Sequence, residues 1–247
     1  MRRLLVTGQI SGQLEKIDLL KKAAKELHAD AVVFTGGVVD EALRDRSNEG
    51  ELLRLWENFF DAIGSIAEGG VLTAVLPGPA DAPLRHFLRL GMYEEGEHPK
   101  LHLIHATLLE DTDVALCGVG GAITEHEELS ETRVRISRNL AEYYLRKLWE
   151  SDQSRKILVL SQPPTGQLGG NAGNPIVGEF LDSYHPTLCL VGGATEHRGW
   201  QRVAKTLVIN PGRLADNSVA WYDASKPSDQ QVDLLYLCLL YTSPSPR

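Results

Sequence analysis

Cysteine is scarce in this chain: the 247 residues include only Cys117, Cys189 and Cys238. Three scattered thiols cannot form a disulfide framework or a zinc site made of cysteine ligands. We therefore expect a protein of the reducing cytoplasm. Cys117 lies within an apolar run, and nothing around it in the sequence would lower its pKa, so we interpret it as a small buried hydrophobic residue.

Long apolar runs and basic clusters are also missing. The first apolar run, Leu4–Thr7, is shorter than the hydrophobic region of a signal peptide, and no run approaches the ~20 residues that span a bilayer. Acidic residues outnumber basic ones by 33 to 25, which gives a net charge of −8. Because nucleic-acid binding depends on cations that neutralise phosphates, we expect no nucleic-acid partner and no membrane association.

The composition changes at Val232. Residues 232–247 read VDLLYLCLLYTSPSPR, which matches nothing upstream and is typical of translated sequencing-adapter read-through. We interpret this stretch as a non-native tail, and residues 1–231 as one domain whose natural C-terminus is missing. The alternative is a genuine final strand followed by a Pro/Ser tail.

Short apolar runs alternate with stretches of helical periodicity, which predicts an α/β fold with buried strands. The nine predicted strands are Leu4–Thr7, Ala31–Thr35, Leu72–Leu76, Leu101–Ala106, Val114–Val119, Lys156–Leu160, Leu188–Val191, Thr206–Asn210 and Val219–Tyr222. The clearest helices are expected over Leu14–Leu27, from Leu52 to Ile63, and over Val134–Trp149. The stretch Pro163–Pro175, rich in glycine and proline, is the longest predicted loop and a candidate lid.

Common phosphate-binding and nucleophile motifs are incomplete in this sequence. Gly118-Val-Gly-Gly121 follows a predicted strand, but Ile123 stands where a dinucleotide fingerprint has its third glycine. No P-loop is present. Gln9 stands where a nucleophile elbow around Ser11 would need a glycine. These motifs therefore do not identify the function.

Glycines and small polar residues follow many of the predicted strands. In open α/β sheets, ligands bind outside the carboxyl ends of the strands, so these segments are the candidate site. They read TGQISG (7–12), TGGVVD (35–40), LPGPAD (76–81), SQPP (161–164), GGATEH (192–197) and NPG (210–212).

In order and spacing, these segments resemble the motifs of calcineurin-like metallophosphoesterases, across nearly all of residues 1–224. That family carries D-x-H, G-D-x-x-D, G-N-H-[DE], a His before Pro-Pro, and G-H-x-H shortly before Asn-Pro-Gly. The matching frame consists of Gly12, Gly36, Asp40, Pro77-Gly78, Asp81, Pro163-Pro164, Gly193, Thr195 and Asn210-Pro211-Gly212. The resemblance implies an α/β fold, the four-layer α/β/β/α sandwich with two mixed β-sheets, and a site for two divalent metals (Mn, Fe, Zn).

The metal ligands of that family are almost all replaced. Their seven positions are occupied by Gln9, Ser11, Gly37, Pro79, Ser161, Ala194 and Glu196, while Ala80 replaces the His that protonates the leaving group. Only Glu196 could supply an anionic oxygen. Because a pair of metal ions needs carboxylates and imidazoles to compensate its charge, we expect no metal cofactor and no catalytic residue. The leading hypothesis is a non-catalytic pseudo-phosphoesterase with a binding or structural role.

Some side chains at the former metal site could bind a small polar ligand. This candidate set comprises Gln9, Ser11, Asp40, Asp81, Ser161, Glu196 and His197. For Asp40 and Asp81 the commoner role is to cap a helix or anchor a loop. We interpret His102 and His105 as structural, and Thr124–Glu131 as a solvated acidic loop for which a basic partner is the alternative.

Two other functions stay open. Glu196 and His197, together with Asp40 or Asp81, could form a relocated metal site, which would make the protein an active phosphoric ester hydrolase. The third hypothesis is a structural subunit of a homo-oligomer, because the family that the chain resembles forms oligomers.

Overall fold

A computed structural model describes residues 1–240. Its strands are β1 (Arg3–Thr7), β2 (Ala31–Phe34), β3 (Leu72–Val75), β4 (Leu101–Leu103), β5 (Leu109–Asp111), β6 (Val114–Val119), β7 (Ala122–Thr124), β8 (Arg135–Ser137), β9 (Arg155–Leu160), β10 (Leu188–Val191), β11 (Gly199–Val203), β12 (Thr206–Asn210), β13 (Ser218–Asp223) and β14 (Val232–Tyr236). Its helices are α1 (Lys16–Glu26), α2 (Glu41–Arg46), α3 (Glu49–Glu68), α4 (Leu84–Glu97), α5 (Arg138–Glu150), α6 (Pro175–Tyr184) and α7 (Leu237–Leu240). In this described part of the chain, no helix combines the length and apolarity needed to cross a bilayer.

The strands form two six-stranded mixed sheets and a small parallel pair, β7 and β8. The first sheet has the order β14-β13-β1-β2-β3-β4 and the second the order β11-β12-β10-β9-β6-β5. Strands β1 to β4 are parallel, as are β12, β10, β9 and β6, while antiparallel strands lie at the edges. All nine predicted strands are present.

Successive strand residues pack into different layers. In β1, Leu4 and Val6 lie between the two sheets, whereas Leu5 packs into the layer that contains residues of α1, α3 and α4. In β9, Ile157 lies between the sheets and Leu158 packs with residues of α5 and α6. The fold is thus the expected four-layer α/β/β/α sandwich. Burial on both faces explains why its strands read as continuous apolar runs.

The differences from the sequence prediction lie in short or weakly patterned elements. The helix expected over Val134–Trp149 begins at Arg138, because β8 precedes it and pairs with β7. Helix α4 was not predicted, and of its residues only Phe87 and Gly91 are buried. Its apolar stripe is short: Leu84, Phe87 and Leu88 share one face, and the two leucines are only partly buried.

The stretch that we interpret as a non-native tail enters the fold as an edge strand. β14 pairs with β13 in antiparallel register, and Leu237 of α7 is fully buried. A final strand was the alternative interpretation, and the origin of this stretch stays a prediction. Residues 241–247 lie outside the described residues.

Candidate functional site

A cavity of about 330 Å³ opens where strands of both sheets end. We call it the central cleft, and its lining consists of Gln9, Gly36, Gly37, Val39, Asp40, Glu41, Pro79, Ala80, Ser161, Gln162, Pro163, Ala172, Gly193 and Ala194. The residues come from segments after β1, β2, β3, β9 and β10, and from the loop before α6. The cleft therefore lies at the carboxyl ends of parallel strands, as expected for a ligand site in this kind of sheet.

Gly37 and Gln9 are in close contact in the central cleft. Gly37 has a φ of +83°, in the left-handed region that side chains disfavour. A Cβ at Gly37 would lie 3.0 Å from Cγ of Gln9 and 3.2 Å from its Cα. Backbone conformation and crowding by Gln9 together oppose a side chain where the resembled family has its bridging aspartate.

Asp81 is fully buried beneath the loops that follow β2 and β3. Its carboxylate accepts hydrogen bonds from the backbone N–H groups of Gly37, Val38, Val39 and Gly78, at 2.7 to 3.2 Å, and from the indole of Trp56 at 3.3 Å. Burial raises the pKa of Asp81 to about 6, against the N–H donors that lower it. Asp81 is therefore a loop anchor and does not line the central cleft.

Ser161 lines the cleft, but its hydroxyl is already occupied. The Oγ atom donates to the carbonyl of Pro77 at 2.7 Å and accepts from the N–H of Gly121 at 3.3 Å. It therefore ties the loop after β3 to the loop after β6. The Oγ atom therefore has no O–H left to donate to a ligand and keeps one lone pair as an acceptor.

Gln162 and Asn174 hold the base of the loop 163–175. Oε1 of Gln162 accepts from the N–H of Ile123 at 2.9 Å and from Nδ2 of Asn174 at 2.8 Å. Nδ2 of Asn174 also donates to the carbonyl of Ile123 at 2.8 Å, and its Oδ1 caps α6. Through Pro163 and Ala172, this loop forms one wall of the cleft.

Two carboxylates stand at the rim of the cleft, and both have partners. Asp40 caps α2 by accepting a hydrogen bond from the N–H of Leu43 at 2.8 Å, which is one of the two roles predicted for it. Glu41 pairs with Nε of Arg133 at 3.5 Å. Among the described residues that line the cleft, none is Lys, Arg or His.

Ser11, Glu196 and His197 do not line the cleft. Oγ of Ser11 accepts a hydrogen bond from Nη2 of Arg213 at 3.4 Å. Glu196 is two-thirds exposed, and its Oε1 lies 3.9 Å from Nε2 of His197, whose ring packs against Gly170. Within residues 1–240, no group of three or more His, Cys, Asp or Glu side chains is placed to hold a metal ion. That these residues bind a ligand stays a prediction.

The residues present at the family's ligand positions do not fit a pair of divalent cations. Gly37, Pro79 and Ala194 have no side-chain donor atom, and Ser161 is occupied by internal hydrogen bonds. Zinc, iron and manganese sites in proteins use imidazole, thiolate or carboxylate ligands, and among these positions only Glu196 supplies one. No reaction step through a metal pair can be derived from this arrangement.

Two other ionisable groups that the sequence singled out are structural. Nδ1 of His105 accepts a hydrogen bond from the N–H of Gly120 at 3.0 Å, and burial lowers the pKa of His105 to about 4. Burial raises the pKa of Cys117 to about 11, so this thiol is not a reactive nucleophile. Both interpretations from the sequence agree with these environments.

Sequence reasoning missed Trp56 as a partner of Asp81, and Asn174 as the residue that holds the loop. The local sequence gives no indication of the indole hydrogen bond, because Trp56 belongs to an ordinary apolar stripe. The role of Asn174 could have been predicted, since an Asn followed by Pro175 is a typical helix start.

The chain matches the family model described as metallophosphoesterase, calcineurin superfamily, over residues 1–233. It is similar to the crystal structure of TT1561 of Thermus thermophilus, with 25% identity, a TM-score of 0.80, and 96% of this chain and 99% of that chain covered. A 5'-nucleotidase from Candida albicans SC5314 shares the fold at 10% identity and a TM-score of 0.52, over 95% of this chain and 51% of that chain. No curated protein sequence matches significantly.

Proposed function

Because the chain belongs to the calcineurin superfamily of metallophosphoesterases, we propose that it is a non-catalytic member whose central cleft binds a small polar ligand without metals or hydrolysis. The contact between Gly37 and Gln9 carries this proposal. An aspartate at Gly37 would adopt a strained φ of +83° and meet Gln9 at the position of its Cβ. The backbone conformation at Gly37 and the position of the Gln9 side chain therefore both disfavour a metal-bridging aspartate at this position.

The remaining substitutions support the same function. Gln9 and Gly37 stand where the family's motifs have aspartates, so that no cluster of uncompensated charges is left in the cleft. Pro79, Ser161 and Ala194 stand where the motifs have an asparagine and two histidines. The hydroxyl of Ser161 now joins two loops. The residues at the former ligand positions thus pack and hydrogen-bond with their neighbours, as expected for a fold that is stable without metals. On the scarcity of cysteine, we also propose a cytoplasmic location.

Metal analysis combined with a hydrolysis assay tests the proposal. The full chain is purified without chelator, its metal content is measured by elemental analysis, and hydrolysis of bis(p-nitrophenyl) phosphate is followed in added manganese. We expect far less than one metal ion per chain and no turnover above the buffer rate. About two metal ions per chain with turnover would overturn the proposal.

Two variants identify the source of any turnover. Glu196→Ala removes the only anionic side chain among the former ligand positions, and Glu179→Ala removes an exposed glutamate elsewhere. Turnover lost in Glu196→Ala and kept in Glu179→Ala would reveal an active relocated site. Turnover equal in all three proteins, together with bound metal, would indicate a hydrolase site that does not use Glu196, and it would also overturn the proposal.

A further inference from the structure

We infer that the central cleft takes an uncharged organic molecule with hydrogen-bond donors and acceptors, and that it rejects phosphate esters. This inference rests on the proposed function and specifies its ligand. A phosphate monoester carries about −1.5 to −2 charges at neutral pH and needs cations or a metal to compensate them. No Lys, Arg or His lies among the described residues lining the cleft.

The rim carboxylates do not favour a cationic ligand either. Asp40 already accepts the hydrogen bond from the N–H of Leu43 at 2.8 Å, at the first turn of α2. Glu41 lies 3.5 Å from Nε of Arg133, whose Nη2 also lies 3.3 Å from Asp45, so this arginine already serves two carboxylates. Apart from the two rim carboxylates, no described residue lining the cleft is charged, so a neutral ligand enters it at a lower desolvation cost than an ion.

Two amide side chains provide the free hydrogen-bonding groups. Both hydrogen bonds of the Gln162 side chain go to Oε1, so Nε2 has no protein partner among the described residues. The amide of Gln9, whose stem packs on Gly37, likewise makes no side-chain hydrogen bond within residues 1–240. Glutamine amides offer both a donor and an acceptor, which a carboxamide or a hydroxyl group complements.

Much of the remaining lining is apolar, and hydrogen bonds hold its loops in place. Its apolar members are Val39, Pro79, Ala80, Pro163, Ala172 and Ala194. Asp81 fixes the loop after β2, and Asn174 fixes the wall formed by the loop 163–175. At about 330 Å³ the cavity lies at the small end of ligand sites, so it suits a molecule of one ring with a polar substituent.

Three matched probes test the inference. Nicotinamide presents a neutral carboxamide on a ring, nicotinate is the same ring with a carboxylate, and phenyl phosphate is a phosphate ester of similar size. Saturation-transfer NMR and calorimetry on the full chain measure the binding of each at up to about 10 mM. We expect nicotinamide to bind and the two anions to bind at least about tenfold more weakly.

Glutamine variants locate the binding. Gln9→Ala and Gln162→Glu each remove a free amide donor, and each should weaken nicotinamide binding by about 3- to 10-fold, as the loss of one hydrogen bond predicts. Gln162→Glu keeps the Oε1 acceptor that holds Ile123 and Asn174, so the loop stays in place. Gln167→Ala, an exposed glutamine of the same loop, is the control and should bind unchanged.

The outcomes separate this inference from the proposed function. Tight binding of phenyl phosphate that is sensitive to Gln9→Ala would overturn the uncharged ligand but leave a non-catalytic cleft, whereas its hydrolysis would overturn both. Failure of nicotinamide to bind at about 10 mM, or binding that ignores both cleft variants, would also overturn the inference.

Discussion

The indole N–H of Trp56 donates a hydrogen bond to the buried carboxylate of Asp81 at 3.3 Å. Trp56 belongs to α3, in the outer helical layer, whereas Asp81 follows β3 at the edge of the central cleft. The bond therefore connects the helical layer to the backbone turns that shape the site.

Removing the Asp81 side chain should strongly destabilise the fold. Asp81→Ala would leave five N–H donors without their acceptor in a buried position, and each orphaned donor costs about 1–3 kcal/mol. Because the loops can relax, we expect a loss of about 4 kcal/mol in the free energy of unfolding, measured by urea denaturation. Asp182→Ala, at an exposed aspartate, should cost less than about 0.5 kcal/mol. Equal costs would contradict the anchoring role.

The contact between Gln9 and Gly37 can be measured by a double-mutant cycle. Gly37→Ala should cost about 2–4 kcal/mol, because it combines φ strain with crowding. Gly70 has a φ of +85° but no atom within 4 Å of a Cβ placed there, so Gly70→Ala should show the strain alone, about 1–2 kcal/mol. Adding Gln9→Ala to Gly37→Ala should recover about 1 kcal/mol. If Gly37→Ala and Gly70→Ala cost the same, Gln9 would not crowd position 37, and the steric argument against an aspartate there would be wrong.

His105 should make stability depend on pH on the acid side. Because its pKa falls from an ordinary 6.5 to about 4 in the folded chain, its neutral form favours folding above about pH 6.5, and this contribution is lost as the pH falls through about 4. Asp81 acts in the opposite direction, since its raised pKa of about 6 gives a contribution that is present below about pH 4 and lost as the pH rises through 6.

The variant His105→Gln separates the two contributions. Its deficit in stability relative to the unaltered chain should shrink by about 3 kcal/mol between pH 7 and pH 4, because the unaltered chain loses the histidine contribution over this range. Denaturant titrations at several pH values measure this. His28→Gln, at an exposed histidine, serves as the control, and a deficit for His105→Gln that does not change with pH would refute the assignment.

Asn174 should control the order of the cleft wall. Asn174→Ala removes the donor to Gln162 and Ile123 as well as the cap of α6, so amide hydrogen exchange in residues 163–175 should accelerate and stability should fall by about 2 kcal/mol. Asn171→Ala, at an exposed asparagine of the same loop, should change neither quantity. An unchanged exchange pattern in Asn174→Ala would show that other contacts order the loop.

Leu237 tests whether the stretch that we propose to be non-native adds to stability. Its side chain is fully buried, whereas Leu239 is 59% exposed. Leu237→Ala should therefore cost about 2–3 kcal/mol and Leu239→Ala less than about 0.5 kcal/mol in denaturant titrations. Similar small costs for both would show that this segment does not pack in solution.

The buried strands could be predicted from the apolar runs, whereas the two-sheet, four-layer arrangement was implied by the resemblance to the calcineurin-like family. Residues such as Leu4, Leu5 and Val6 are apolar on both faces of one strand, which only a sheet buried on both sides requires. The edge strand β11 carries no comparable signal, because none of its five residues is buried. The apolar stripe of α4 is short, and only Phe87 and Gly91 of its residues are buried.

For the site, the sequence determined which atoms are available, and the tertiary structure decided which of them are already used. The strand ends rich in glycine and proline predicted where the cleft lies, and the resemblance to the family implied that its metal ligands are replaced. Only the fold shows that Asp81 and Ser161 form internal hydrogen bonds. It also shows that the side chain of Gln9 has no hydrogen-bond partner within residues 1–240. The reason is physical: these bonds join residues far apart in the chain, and a buried polar group binds whichever partner the packing of the layers brings to it.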